Sequence, residues 1–321
     1  MIISLMRRLI LTLLTLIVLS LLSYHILLRD PLNQVFSQPH FYSGYLTYVS
    51  NLLSGDLGIT YNGGKSLLNI VLTVLPPTLE LCFSALLIAV LFGFPLGFLG
   101  AIHRQNSFGK TINVISSLGI SVPVFWIAPI LLYLSALYRW EISAVGQFNL
   151  LYEIPTISGF AIIDVWFINV PYKIKVIQNV LQHLVLPTLV LAITPTMEIT
   201  RLVQQRAIWV LNQNYVKVAG THGWSIWSIF KRHLCRNTLP VIIPQMSRLV
   251  VLVLTQCMLI ESIFGWSGIG RWIIDSVNQQ DYNSISVGVI VIGLFIILVN
   301  TLTDLICFLL DPFNKKGWYA R

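Results

Sequence analysis

The chain has 321 residues, 56% of them apolar and only 10% charged, with a formal net charge of +8. So little charge cannot cover the surface of a soluble domain of this length, which excludes a fold solvated mainly by water and makes the lipid bilayer the chain's main solvent. The positive balance does not indicate nucleic acid, because the basic residues are scattered over short segments and form no dense stripe with interleaved aromatics.

Arg7 and Arg8 precede an apolar run over 9–28. The run is too long for the core of a secretion signal and lacks a small-x-small cleavage site, so residues 1–28 predict an uncleaved first transmembrane helix. Residues 29–77 are expected to form a periplasmic segment with Gly, Pro, Asn and Ser clusters and several aromatics. Residues 78–312 hold the core, with further spans at 78–102, 112–137, 184–203, 241–262 and 287–310. Each supplies roughly the 20 apolar residues that a bilayer core of about 30 Å requires. The fold class is therefore all-α, a polytopic membrane protein with about six transmembrane helices. Lys and Arg are retained on the cytoplasmic side of spans. With the N terminus inside, the cytoplasmic segments collect Arg7, Arg8, Arg104, Lys110, Arg206, Lys217, Lys231, Arg232, Arg236, Lys315, Lys316 and Arg321, against Arg29, Lys65, Arg139, Lys173, Lys175 and Arg271 outside. Both termini are then cytoplasmic, and 313–321 is a cytoplasmic tail. The outer segments 29–77 and 138–183 are predicted to cap the bundle.

Ionisable residues within spans call for a pathway or an escape to the interface. Glu198 and Arg201, three residues apart on one helical face, are predicted to pair. Arg248 is predicted to snorkel inward. Glu80 and Glu261, near the outer ends, either line a translocation mouth or reach water, and Asp304 has the same two options. Cys82, Cys235, Cys257 and Cys307 form no CxxC pair and read as small core residues. The six histidines have no metal-ligand spacing, and no motif places a nucleophile, base and oxyanion set, so neither catalysis nor a cofactor is expected of this chain. Gly63, Gly64, Lys65 and Ser66 resemble the end of a phosphate-binding loop. Gly58 lies one position too early for that pattern, and no strand precedes it.

The segment 204–240 is amphipathic and has no run long enough to span. Tyr215, Val216 and Val218 begin a short helix that Gly223 ends, and Ser225 is placed to cap a second helix at Ile226, lined by Lys231, Arg232 and Arg236. Such a hairpin is either an interfacial helix on anionic lipid or a docking surface for a soluble partner, and periodicity does not choose between them.

The run Tyr215, Val216, Lys217, Val218, Ala219, Gly223, then Arg232, His233, Arg236, Asn237, Leu239 and Pro240, resembles the EAA loop of binding-protein-dependent ABC permeases of the dipeptide and oligopeptide class. Further matches follow in the family's order: Gly55 to Gly58; Pro76, Thr78, Glu80 and Leu81; Ser121, Pro123, Phe125 and Trp126; His183, Leu184, Leu186 and Pro187; Glu261, Phe264, Trp266, Gly268, Gly270 and Arg271; Asp281 and Tyr282; Asp311 and Pro312. The stretches 150–166 and 279–282, with Trp318 and Tyr319, are most similar to permeases of transporters associated with resistance to antimicrobial peptides. The chain departs from the class at Gly220, where a basic or small helix-forming residue is usual, and at Ser267, where proline is usual.

This resemblance implies a type I ABC importer permease fold in a bacterial inner membrane, moving peptides with energy from separate ATPases. It implies a second homologous permease, two cytoplasmic ABC ATPase subunits and a periplasmic substrate-binding protein as partners. Tyr215, Ala219, Gly223, Arg232, Arg236 and Pro240 would belong to the ATPase-coupling hairpin. Glu261, Trp266, Gly268 and Gly270 would belong to a pathway or gate. The alternatives are a stand-alone secondary transporter or channel, or an ABC permease for a polyamine such as putrescine. The first of these would need repeated halves with mid-membrane sites, which the sequence lacks.

Overall fold

The computed structural model describes residues 2–37, 40–61, 63–140, 142 and 145–310. The expected tail 313–321 and the residues Asp311, Pro312, Trp318 and Tyr319 lie outside the described residues, as does the side chain of Cys307. Helix α1 (Ile2–Leu27) leads through a 3-10 turn (Pro31–Ser37) to α2 (Phe41–Ser54). Then come α3 (Leu67–Ile102), α4 (Ser107–Ser121), α5 (Val124–Leu137), the single turn α6 (Ala161–Asp164) and α7 (Lys173–Leu211). After these follow α8 (Asn214–Thr221), α9 (Ile226–Ile229), a π-helical turn (Phe230–Cys235), α10 (Arg236–Phe264), α11 (Ile269–Asn278) and α12 (Tyr282–Leu310).

Five of these helices, α1, α3, α7, α10 and α12, are individually long and apolar enough to cross a membrane. The pair α4 and α5 makes a sixth crossing if taken together. The expected span over 112–137 is thus broken, with a bend of 94° between its halves. Proline explains the break. Pro123 has no amide hydrogen to donate and forces Val122 out of the helical region, to φ −83° and ψ 121°.

Two spans are longer than expected. α3 begins at Leu67 and α7 runs over 39 residues, roughly 58 Å at 1.5 Å per residue, well beyond a bilayer core. The surplus in α7 is polar (Lys173, Lys175, Gln178 and Gln182 at one end, Gln204, Gln205 and Arg206 at the other), and hydropathy averaging discards it.

α3 lies along α7. The approach is set by Gly93, Gly97 and Gly100 facing Ile199, Val203 and Gln204. A Cβ at Gly97 would sit 2.6 Å from the Cβ of Val203, which no real side chain tolerates. Small residues at such spacing let helices approach where lipid supplies no hydrophobic drive. Gln204 then donates from Nε2 to the Gly109 carbonyl at 3.0 Å and ties α7 to α4. One core, including Leu81, Leu191, Val253 and Trp266, fills the end of the bundle where α3 and α7 begin; a second, including Phe98, Val203, Val216 and Leu234, fills the end where they finish.

α1 packs on α12 at the rim of the bundle. Ser23 and Ser286 bond to one another at 2.6 Å across 263 residues of chain. Tyr48 and Tyr45 of α2 bond to Ser23 and Ser20, each at 2.7 Å.

Candidate functional site

α8 and the turn after it form the tip of a hairpin at the end of the bundle where α7 finishes. Its closure is a Schellman arrangement: the Gly223 amide donates to the Gly220 carbonyl at 3.0 Å, and the Trp224 amide to the Ala219 carbonyl at 3.2 Å. Gly223 sits at φ +78°, a left-handed conformation that glycine adopts without strain. Ser225 caps the return, its Oγ accepting from the Ser228 amide at 3.2 Å, as the sequence predicts.

Ala219 is buried, and Val216 and Leu234 pack in the core below. Tyr215 lies against the His233 ring at 5.5 Å, and the Arg232 guanidinium sits over Trp224 at 5.0 Å. Val218, Ile226 and Trp227 point outward, Trp227 with 70% of its surface exposed. The tip is open: an added Cβ at Gly220 or Gly223 would meet nothing within 4 Å.

The second arm differs from its expected form. Only Ile226–Ile229 is a separate α turn. Lys231 and Arg232 lie in the π turn, and Arg236 and Pro240 already belong to α10. The arm therefore runs without a break into a membrane-crossing helix. The first arm likewise starts later than residue 204, because α7 continues to Leu211.

At the opposite end of the bundle, Glu261, Trp266, Gly268 and Gly270 come together. Glu261 does not reach water in this structure; it is fully buried. Thr78 donates to its Oε1 at 2.6 Å, and the amides of Gly270 and Arg271 donate to its Oε2 at 2.8 and 3.1 Å. The Cys257 thiol donates to Oε1 at 3.4 Å. The carboxylate thus rests on the N-terminal turn of α11, where free amides and the helix dipole favour negative charge. A Cβ at Gly268 would overlap this carboxylate, so glycine is required there by space. Trp266, also buried, donates its indole N–H to the Pro77 carbonyl at 3.1 Å. The four residues form a clamp that locks α11 to α3 and α10.

Two further carboxylates hold the segment between α5 and α7. Glu80 of α3 is buried and accepts from the Ile162 amide at 2.7 Å and from Gln147 Nε2 at 3.0 Å. Asp164 accepts from the Ser158 amide and hydroxyl at 2.8 and 2.6 Å, and from the amides of Gly159 and Ile157 at 2.9 and 3.1 Å. Burial pushes the Asp164 pKa up, but the four donors outweigh it and hold the carboxyl below its ordinary value. The donors of Glu80 are distant in sequence, whereas those of Asp164 lie within seven residues of it.

Glu198 pairs with Arg248 of α10, not with Arg201 as its spacing suggests. An unpaired charge at mid-membrane costs about 2.5–3.5 kcal/mol on insertion scales, and α10 offers the nearer partner. Cys82 and Cys257 are buried in one core, as small packing residues are expected to be. Among the described residues, no group of three or more His, Cys, Asp or Glu side chains is placed to hold a metal ion.

Comparison with known proteins adds an independent line. Residues 93–316 match the family described as "Binding-protein-dependent transport system inner membrane component". The chain is 58% identical over 318 residues to the peptide transport system permease protein SapB of Haemophilus influenzae, covering 99% of each chain. It is 35% identical over 320 residues to the putrescine export system permease protein SapB of Escherichia coli K12, covering 100% of this chain and 99% of that one. It is 32% identical over 271 residues to the di/tripeptide transport system permease protein DppB of Pseudomonas aeruginosa, covering 84% and 80%.

Proposed function

The chain belongs to the family of binding-protein-dependent transport system inner membrane components, and from that premise we propose that it is the permease subunit of an ATP-binding cassette transporter that moves peptides across the bacterial inner membrane. The hairpin is the part that meets the ATPase. Tyr215, Val218, Ile226 and Trp227 offer a half-apolar exposed surface around an open glycine tip. Val216 and Leu234 fix that tip to the core, and Ala219 is buried too. The observation that carries the reading is the unbroken helical path from Ile226 through the π turn to Phe264, because a displacement imposed on the tip reaches the far end of the membrane along one element.

Two cytoplasmic ATPases, a second permease and a periplasmic binding protein complete the assembly, and both termini lie in the cytoplasm, as the distribution of Lys and Arg favours. Alternating access follows if the two arrangements of the helices differ in their affinity for ATP-closed ATPases. The chain itself supplies no catalytic group. Peptide cargo is favoured by the names of the peptide relatives at 58% and 32% identity. A polyamine such as putrescine is the second reading, resting on the name of the Escherichia coli K12 relative.

The test is a single cysteine at Thr221, in a background lacking Cys82, Cys235, Cys257 and Cys307, crosslinked in the assembled transporter. A specific adduct with the ATPase that changes on adding ATP is the expected result. An inserted and assembled permease giving no adduct from Thr221 or its neighbours overturns the coupling role.

A further inference from the structure

The exposed faces of the spans divide by chemistry. On α3 every exposed position from 83 to 99 is apolar, Phe83, Leu87, Leu91 and Leu99 among them. α10 instead exposes Arg248, Thr255, Leu259 and Ser262. Their spacings of seven, four and three residues put them in one stripe along the helix. Beside this stripe, α7 carries Glu198 and the exposed residues Arg201 and Gln205 on one face of its own. Hydrocarbon can cover the α3 face but not the guanidinium of Arg248, whose side chain is 60% exposed.

Arg248 lies six residues beyond Ile242, where the apolar span begins, about 9 Å into the membrane at 1.5 Å per residue. At that depth the exposed guanidinium needs polar surroundings and not hydrocarbon. Of the guanidinium's five N–H groups, Nη2 is engaged by Glu198 Oε1, and Glu198 is itself only 16% exposed. The carboxylate thus anchors the cation from behind and leaves the rest of the guanidinium exposed. With Arg201 on the same surface, the two cations and one carboxylate leave the patch with a net charge of +1.

We propose that the α10 stripe lines the transport pathway and that Arg248, positioned by Glu198, receives a carboxylate of the passing peptide. A planar, permanently charged fork with free N–H edges takes a carboxylate in preference to other peptide groups. The inference rests on the peptide permease reading and adds to it a point of contact with cargo. Glu198 is a positioning residue in this scheme.

The test uses the complete transporter with its binding protein in ATP-energised proteoliposomes, with trialanine as probe, either as the free acid or as the C-terminal amide. The wild type is expected to move the acid faster than the amide by about tenfold, the ratio one charge-assisted hydrogen bond supplies. Arg248→Gln is expected to bring that ratio close to one. The reversed pair Glu198→Arg with Arg248→Glu keeps an ion pair between α7 and α10, so a purely structural bridge would be rescued by it. The preference for the acid is expected to stay lost.

Restored preference in the reversed pair, or equal rates for the two peptides in the wild type, overturns the role of Arg248 while leaving the peptide reading intact. Absence of ATP-driven movement of either trialanine form by the wild type overturns both.

Discussion

Gly268→Ala tests the buried clamp with a single methyl group. Its Cβ would overlap the Glu261 carboxylate, which lies between Thr78 on one side and the amides of Gly270 and Arg271 on the other. The carboxylate cannot retreat into solvent, being fully buried, so relief requires α11 to lift away or the carboxylate to leave its two amides. Hydrogen bonds to charged groups contribute about 1.5–3 kcal/mol each, and losing the pair destabilises the fold by roughly 3–6 kcal/mol. At about 2 °C per kcal/mol for a chain of this size, the unfolding midpoint falls by roughly 6–12 °C. The assay is thermal unfolding of the purified protein in detergent, followed by tryptophan fluorescence, with Trp266 reporting from inside the clamp. A midpoint within about 2 °C of wild type would refute the claim that space at Gly268 and the charge at Glu261 are coupled.

Gly220→Ala should do the opposite. The site is helical and open on its outer side, so the variant should gain up to about 1 kcal/mol in the same unfolding assay. Gly223→Val forces a side chain into φ +78°; a penalty of about 1–2 kcal/mol falls on the turn alone, and ATP-driven transport should fail in a protein that still inserts and assembles. Ser225→Ala removes the cap on the return arm and should lower local protection from hydrogen exchange by about 1 kcal/mol.

Asp164 has a depressed folded pKa, so its contribution is fully present above the unfolded carboxyl value of about 3.9 and is lost as pH falls through the lower folded value. Protease susceptibility of 157–164 should therefore stay flat from neutral pH to about 4 and rise below it. Asp164→Asn should show the raised susceptibility already at neutral pH.

The all-helical class, the order of the apolar helices, the glycine turn at 223 and the cap at Ser225 are all legible in the sequence, because each depends on composition or on close neighbours in the chain. The ends of α7 are not, since hydropathy measures what lipid covers and this helix continues past it; the start of α3 is hidden by Pro76 and Pro77, which read as a boundary but lie inside the helix. The break in α4 and α5 has a local signal at Pro123, but the apolar run continues on both sides and averages it away. Glu261 is the clearest case of missing information. Its donors Thr78, Gly270 and Arg271 come from α3 and α11, and nothing near residue 261 distinguishes a buried clamp from a pathway carboxylate. The pairing of Glu198 fails for the same reason. Spacing nominates Arg201, but the orientation of α10 supplies Arg248. The glycines at 93, 97 and 100 carry a small-residue signal at helical spacing that the sequence analysis did not use.

The bond between Ser23 and Ser286 also bears on biosynthesis. Its two halves are separated by 263 residues, which at roughly 5–20 residues per second means that α1 leaves the ribosome some 13–50 s before α12 exists. During that interval the hydroxyl of Ser23 has no α12 to meet. In the folded chain Ser23 also bonds to Tyr48 of α2, whose residues leave the ribosome only a few seconds after α1 at the same rate. Helix α2, too short to cross the bilayer, is therefore the first of the two partners of Ser23 to be made.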